Sequence, residues 1–114
     1  MAKLLFENPV FERGTNLTVR RGVKWDVADH KNVQVASTKA PEETIAVVDI
    51  QTRVMSYQDL RTDDLAYEHD PECRTWDGLY KAMNEVYEDF DEMEIVTLVW
   101  FDYYPPGDAE GQGG

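Results

Sequence analysis

Apolar and polar residues alternate with a period of two over residues 32–35 and again over 48–54, where Val48, Ile50, Thr52 and Val54 interleave with Asp49, Gln51 and Arg53. Because successive strand side chains point to opposite faces, the pattern predicts half-buried antiparallel strands. Leu17 and Val19 predict a shorter strand over 16–21, and the β-branched and aromatic run IVTLVWF (95–101) predicts a central strand. Between them the period changes. Trp76, Leu79, Tyr80, Met83, Val86, Tyr87 and Phe90 recur every three or four residues, the apolar stripe of one long helix. Thr75 is a fitting N-cap for that helix, Asp77 suits the positive end of its dipole, and Gly78 weakens the first turn. A second helical piece is expected over 56–65, where SYQDL and TDDL each offer a capping residue. Residues 66–74 (AYEHDPECR) read as a loop, because Asp70 and Pro71 interrupt any pattern.

The chain has 114 residues, enough for one core without disulfide or metal staples, and the expected organisation is a single domain over 1–104. The segment 105–114, rich in Pro and Gly, is expected to be a disordered tail. Cys73 is the single cysteine, which excludes an intramolecular disulfide and suits a reducing, cytoplasmic location. The first residues, MAKLLFENPVF, lack the pattern of a signal peptide, and no apolar run reaches the length of a membrane span, so no membrane partner is expected.

Charge sharpens the picture. The net charge is −12, yet Arg13, Arg20, Arg21 and Lys24 fall in a stretch with no carboxylate, GTNLTVRRG lying within it. Beyond Lys81 there are nine acidic residues and no basic one. A polyanion would be repelled by most of such a surface and admitted only at the basic patch.

Several short stretches together resemble the ASCH domain, a relative of the PUA-like small β-barrels. FENPVF (6–11) resembles the family's aromatic and proline-containing lead-in to a short helix. Gly14, Thr18 and Arg20 in ERGTNLTVR resemble its glycine, lysine, threonine and arginine pattern, with Thr15 at the lysine position. SYQDLRTDD resembles its small helical segment, and VYEDF followed by EIVTLVWF its closing helix and strand. The resemblance covers about residues 4–103. It implies an α+β fold, a small mixed β-barrel with a helical insertion and one long amphipathic helix, and a cleft that takes RNA or a nucleoside-like ligand. It also implies a catalytic threonine at Thr18 and a glutamate at Glu72 in members that remove acetyl groups from acetylated cytidine.

The family's lysine is missing here. A threonine hydroxyl attacking an amide needs a base or nearby cation, and Thr15 supplies neither; Arg20 and Arg21 can stabilise an oxyanion but not act as bases. Lys24 is the remaining candidate to reach inward. The expected ligand-binding set is Arg13, Thr15, Thr18, Arg20, Arg21, Lys24, Trp25 and Glu72, with Trp25 available to stack on a base. Thr18 and Arg20 should share one strand face and Arg21 the other. His69 and Cys73 share a loop with Asp70 and Glu72 but do not compose a zinc site, and no metal or other cofactor is expected. His30 is expected in a solvated turn. Three readings stay open: a binding module for RNA or a nucleoside, an amidohydrolase of the same fold, and an acidic module for a protein partner or mimicking nucleic acid. The last would use Asp77, Glu85, Glu88, Asp89, Asp91 and Glu92 along the helix.

Overall fold

The computed structural model describes residues 2–105, which form six strands in two three-stranded sheets and one main helix, an α+β arrangement. In the first sheet, β1 (Lys3–Phe6) runs parallel to β3 (Val33–Ser37), and β3 pairs antiparallel with β4 (Ala46–Val48). In the second, β6 (Ile95–Tyr103) is central and pairs antiparallel with β2 (Gly14–Arg21) and β5 (Ile50–Ser56). The alternating run of 48–54 thus feeds both sheets. It breaks at Asp49, whose carboxylate accepts the Asn32 N–H at 3.0 Å and draws the chain round the corner.

The expected closed barrel does not form among the described residues. Strand orders β1-β3-β4 and β2-β6-β5 leave the two sheets without a connecting ladder, because β4 contributes only three residues before the turn into β5. The central position of β6 matches its nearly continuous apolar run, since it is covered on both faces. Val96 and Leu98 pack with Leu17, Val19, Tyr57, Leu65, Leu79 and Met83, whereas Val99 and Phe101 pack with Leu4, Phe6, Val33 and Val35 of the first sheet. Strand β1 had no periodic signal; its four residues are recruited by pairing with β3. The residues after Phe6 do not form the expected short helix.

The helix α2 (Trp76–Val86) begins as its sequence predicts, with Thr75 Oγ1 accepting the Gly78 N–H at 3.1 Å. It ends at Val86, four residues short of Phe90. The last turn has no basic side chain, and Glu88 and Asp89 would add negative charge to the negative end of the dipole. Val86 is consequently 57% exposed, while Phe90 leaves the helix and packs edge-on against Tyr57 with centroids 5.2 Å apart. The acidic stripe expected along the helix is broken with it: Glu88, Asp89, Asp91 and Glu92 follow the helix end. The expected second helix over 56–65 resolves into two 3-10 turns, Tyr57–Asp59 and Thr62–Leu65, that bury Tyr57 and Leu65. A short helix α1 (Lys24–Val27) buries Trp25. No helix among the described residues is long and apolar enough to cross a membrane. The expected tail of 105–114 lies outside the described residues apart from Pro105.

Gly78 has a stricter role than helix propensity suggests. A Cβ there would stand 2.0 Å from the Glu72 carbonyl oxygen, so only glycine lets the helix start this close to the preceding turn. Gly78→Ala should therefore destabilise the fold by about 1–3 kcal/mol, against the gain of up to about 1 kcal/mol that an exposed helix position would show. Urea denaturation of the two proteins checks this, and an alanine variant of equal or greater stability would contradict the packing.

Candidate functional site

Strand β2 sorts its residues by face. Leu17 and Val19 turn toward α2, and Thr18 and Arg20 turn toward the first sheet, opposite Val99 and Thr97 of β6. Two glycines with positive φ, Gly14 (95°) and Gly22 (78°), end the strand at either side. Asn16, fully buried, fixes the approach to it: its side chain accepts the Glu12 N–H and donates to the Glu12 and Gly14 carbonyls.

The segment expected to be a loop carries the rest of the site. The Leu17 N–H donates to the Tyr67 carbonyl and the His69 N–H to the Leu17 carbonyl, a short parallel bridge that lays Glu68 and His69 against β2. Glu68 is 2% exposed and His69 9%. Arg74 holds the segment from below, donating from Nε to the Glu68 carbonyl at 2.9 Å, with Nη2 3.0 Å from Glu12 Oε2.

A cleft of about 400 Å³ opens between α2 and the end of β1. Its floor is polar: Thr18, Arg20, Glu68 and His69. Its walls are apolar, Leu79, Ala82 and Met83 on the helix side and Leu5 and Phe6 opposite. Glu7, Asp70 and Glu85 also line it, so the charge facing the cleft is acidic apart from Arg20. Arg20 Nε donates to Thr18 Oγ1 at 3.1 Å, and its guanidinium lies over the Phe6 ring at 4.6 Å. Burial lowers the Arg20 pKa from its ordinary value, with nearby Tyr87 and Glu68 opposing the shift.

Glu68 and His69 form the most constrained pair. His69 Nδ1 is 3.1 Å from the Val10 carbonyl, and Nε2 is 3.2 Å from Glu68 Oε1. The Asp70 N–H donates to the same Oε1 at 3.3 Å. The His69 ring meets Phe6 edge-on at 4.9 Å. Burial pushes the Glu68 carboxyl up to about 8, and burial pushes His69 down, so near neutral pH the carboxyl keeps its proton.

The other expected site residues are dispersed. Glu72 is exposed in a 3-10 turn (Pro71–Cys73), its N–H donating to Asp70 Oδ1, and it does not line the cleft. Glu68, four residues earlier, is the buried glutamate that lines the cleft together with Thr18. Thr15 donates to Asp102 Oδ1 at 2.9 Å beside a separate groove lined by Gln51 and Trp100, so a lysine at 15 would not arise from the cleft floor. Trp25 is 6% exposed in the core between the sheets and offers no free face to a base. Arg13 lies over the Tyr104 ring, and Arg21 is bound to Glu94 at 2.6 Å. These two stand at opposite ends of β2, roughly 26 Å apart by strand rise, and do not ring one mouth. Lys24 is exposed on α1 above Trp25. His30 is half-buried, with Nε2 3.1 Å from the Trp25 carbonyl, not in a solvated turn. Among the described residues, no three His, Cys, Asp or Glu side chains come together as metal ligands. The buried Cys73 thiol, pushed up to about 12 by burial, is inert as a nucleophile near neutral pH.

Compared with known proteins, the chain matches no family model, no curated protein and no solved structure.

Glu68 gives the fold a pH dependence with a definite sign. Its folded pKa of about 8 stands above the ordinary 4.5, so between these values the unfolded chain releases a proton that the native state keeps. Stability should fall as pH rises through that window, by up to about 1.4 kcal/mol per unit, and level off above it. Glu68→Gln removes this contribution. Denaturation curves from pH 5 to 9 should show the variant gaining on the wild type as pH rises; parallel curves would contradict a buried, proton-retaining carboxyl.

Proposed function

We propose that the protein is a binding module for a nucleoside-sized, unphosphorylated ligand, held in the cleft between α2 and the end of β1. The observation that carries this reading is a polar floor of Thr18, Arg20, Glu68 and His69 beneath apolar walls, in a volume of about 400 Å³. Flat heterocycles with a hydrogen-bonding edge suit such a site: the ring lies between apolar side chains and the edge meets a few fixed polar groups. The PUA-like fold and nucleoside chemistry implied by the ASCH resemblance agree with it.

Charge selects within that class. Glu7, Asp70 and Glu85 line the cleft with Arg20, so a phosphate at its mouth would meet more negative than positive charge. The dispersal of Arg13, Arg21 and Lys24 removes the continuous basic track that an RNA strand would need. Hydrolysis is also disfavoured. Glu68 holds a proton at neutral pH and is no base there, and His69 Nε2 is engaged by Glu68.

Calorimetric titration with cytidine and adenosine, their 5′-monophosphates and a short single-stranded RNA tests the reading. The nucleosides should bind, the monophosphates at least about fivefold more weakly, as one unfavourable charge contact of about 1 kcal/mol implies. Arg20→Ala and Thr18→Val should each weaken the nucleosides. Acetylated cytidine should bind without being hydrolysed. Binding of RNA alone, or turnover lost in Thr18→Val, would overturn the reading.

A further inference from the structure

We propose that the cleft binds its ligand only while one proton is held between Glu68 Oε1 and His69 Nε2, and that in this state Glu68 Oε2 is the acceptor presented to an N–H donor of the ligand. The inference rests on the nucleoside reading for the identity of the ligand, and on hydrogen-bond geometry for the proton.

The Val10 carbonyl can only accept, so His69 Nδ1, 3.1 Å from it, carries a hydrogen. In a neutral imidazole Nε2 is then a bare acceptor. It faces Glu68 Oε1 at 3.2 Å, and a carboxylate oxygen is likewise an acceptor. Two lone pairs at that distance repel unless a proton lies between them. Water has little access to either residue, so the pair must hold that proton itself. With it on Oε1, the carboxyl donates to Nε2, and Oε2 is a carbonyl-type acceptor. Among the described residues both polar side-chain contacts of Glu68 fall on Oε1, which leaves Oε2 to the ligand.

The surrounding charges oppose one another. The Asp70 N–H, Arg20 from β2 and Arg74 from the following segment favour the ionised carboxyl, and the Asp70 carboxylate opposes it; Glu7 and Glu85 also line the cleft. The Cys73 thiol, also at the cleft, is uncharged near neutral pH, and Tyr87 lines the cleft beside it. Burial outweighs these contributions and keeps the carboxyl protonated. A ligand that fills the cleft removes what water remains, making the charged form costlier still. Binding and proton retention therefore favour each other, as linkage requires.

Cytidine and adenosine test this, because both stay uncharged from neutral to mildly alkaline pH and both carry an exocyclic amino donor. Their affinity for the wild type should be flat below pH 7 and fall about tenfold between pH 7 and 9. Calorimetry in buffers of different ionisation enthalpy should show proton uptake near pH 8. In Glu68→Gln the amide can donate to His69 and accept from the ligand without titrating. The affinity that this variant retains should lose the pH dependence of the wild type, whereas Glu68→Ala should lose binding. N4,N4-dimethylcytidine, with no amino hydrogen, should bind at least about tenfold more weakly than cytidine, the value of one buried unmade hydrogen bond. Wild-type affinity that is unchanged from pH 7 to 9, or equal binding of the dimethyl analogue, overturns the inference and leaves the nucleoside reading intact. Absence of nucleoside binding at every pH, in a protein that is folded by circular dichroism, overturns both.

Discussion

A carboxyl group beneath a protein surface must be neutralised by a proton or matched by a cation, and Glu68 is placed where the first outcome wins. Its nearest polar partner is the bare nitrogen of His69, not a guanidinium, and Arg20 spends its Nε on Thr18 while stacking on Phe6. Much of the surrounding structure holds that arrangement. Asn16 fixes the turn before β2, the bridge at Leu17 lays residues 67–69 against the strand, the Val10 carbonyl selects the His69 tautomer, and Arg74 ties the Glu68 backbone.

The cleft exists because the two sheets do not close on each other. Strand β6 is buried on both faces, and its apolar residues serve α2 on one side and the first sheet on the other. Toward the end of β2 that carries Thr18 and Arg20, the apolar filling gives way to polar side chains, and α2 forms a wall opposite β1. A closed barrel would have filled this space with side chains. The early end of α2 at Val86 also shapes the mouth, because Tyr87 turns away from the helix axis to line it while Phe90 returns to the core.

Strong periodic signals in the sequence correspond to elements that local pattern alone can specify: β3, the 48–54 run, β6, and the start of α2 with its Thr75 cap. The face assignment of Thr18 and Arg20 was legible for the same reason, since strand alternation is a property of the backbone. What was not legible depended on contacts distant in sequence. Strand β1 forms because β3 offers it a partner, and Glu68 is buried because Tyr67 and His69 bond across to Leu17. In sequence, Glu68 and Glu72 are both acids in a polar segment. The distinguishing signal was local: Glu68 precedes a histidine and stands between Leu65 and the Asp70-Pro71 turn, whereas Glu72 lies inside that turn. The basic residues around GTNLTVRRG are close in sequence but are separated by the length of an extended strand, and Arg21 is matched by Glu94.

The arrangement makes the acidic character of the chain compatible with a polar ligand site, because an uncharged ligand is not repelled by carboxylates and a buried protonated carboxyl adds no charge of its own. The central claim is the state of the Glu68–His69 pair in the free protein. Nuclear magnetic resonance of protein labelled with ¹³C and ¹⁵N reads it directly through the Glu68 side-chain carbonyl shift and the two ring-nitrogen shifts of His69. The account predicts a Glu68 carbonyl that titrates near pH 8 and a His69 ring that is neutral and protonated on Nδ1 near neutral pH. A Glu68 carbonyl that titrates near its ordinary 4.5, or a His69 ring protonated on Nε2 alone, would contradict it.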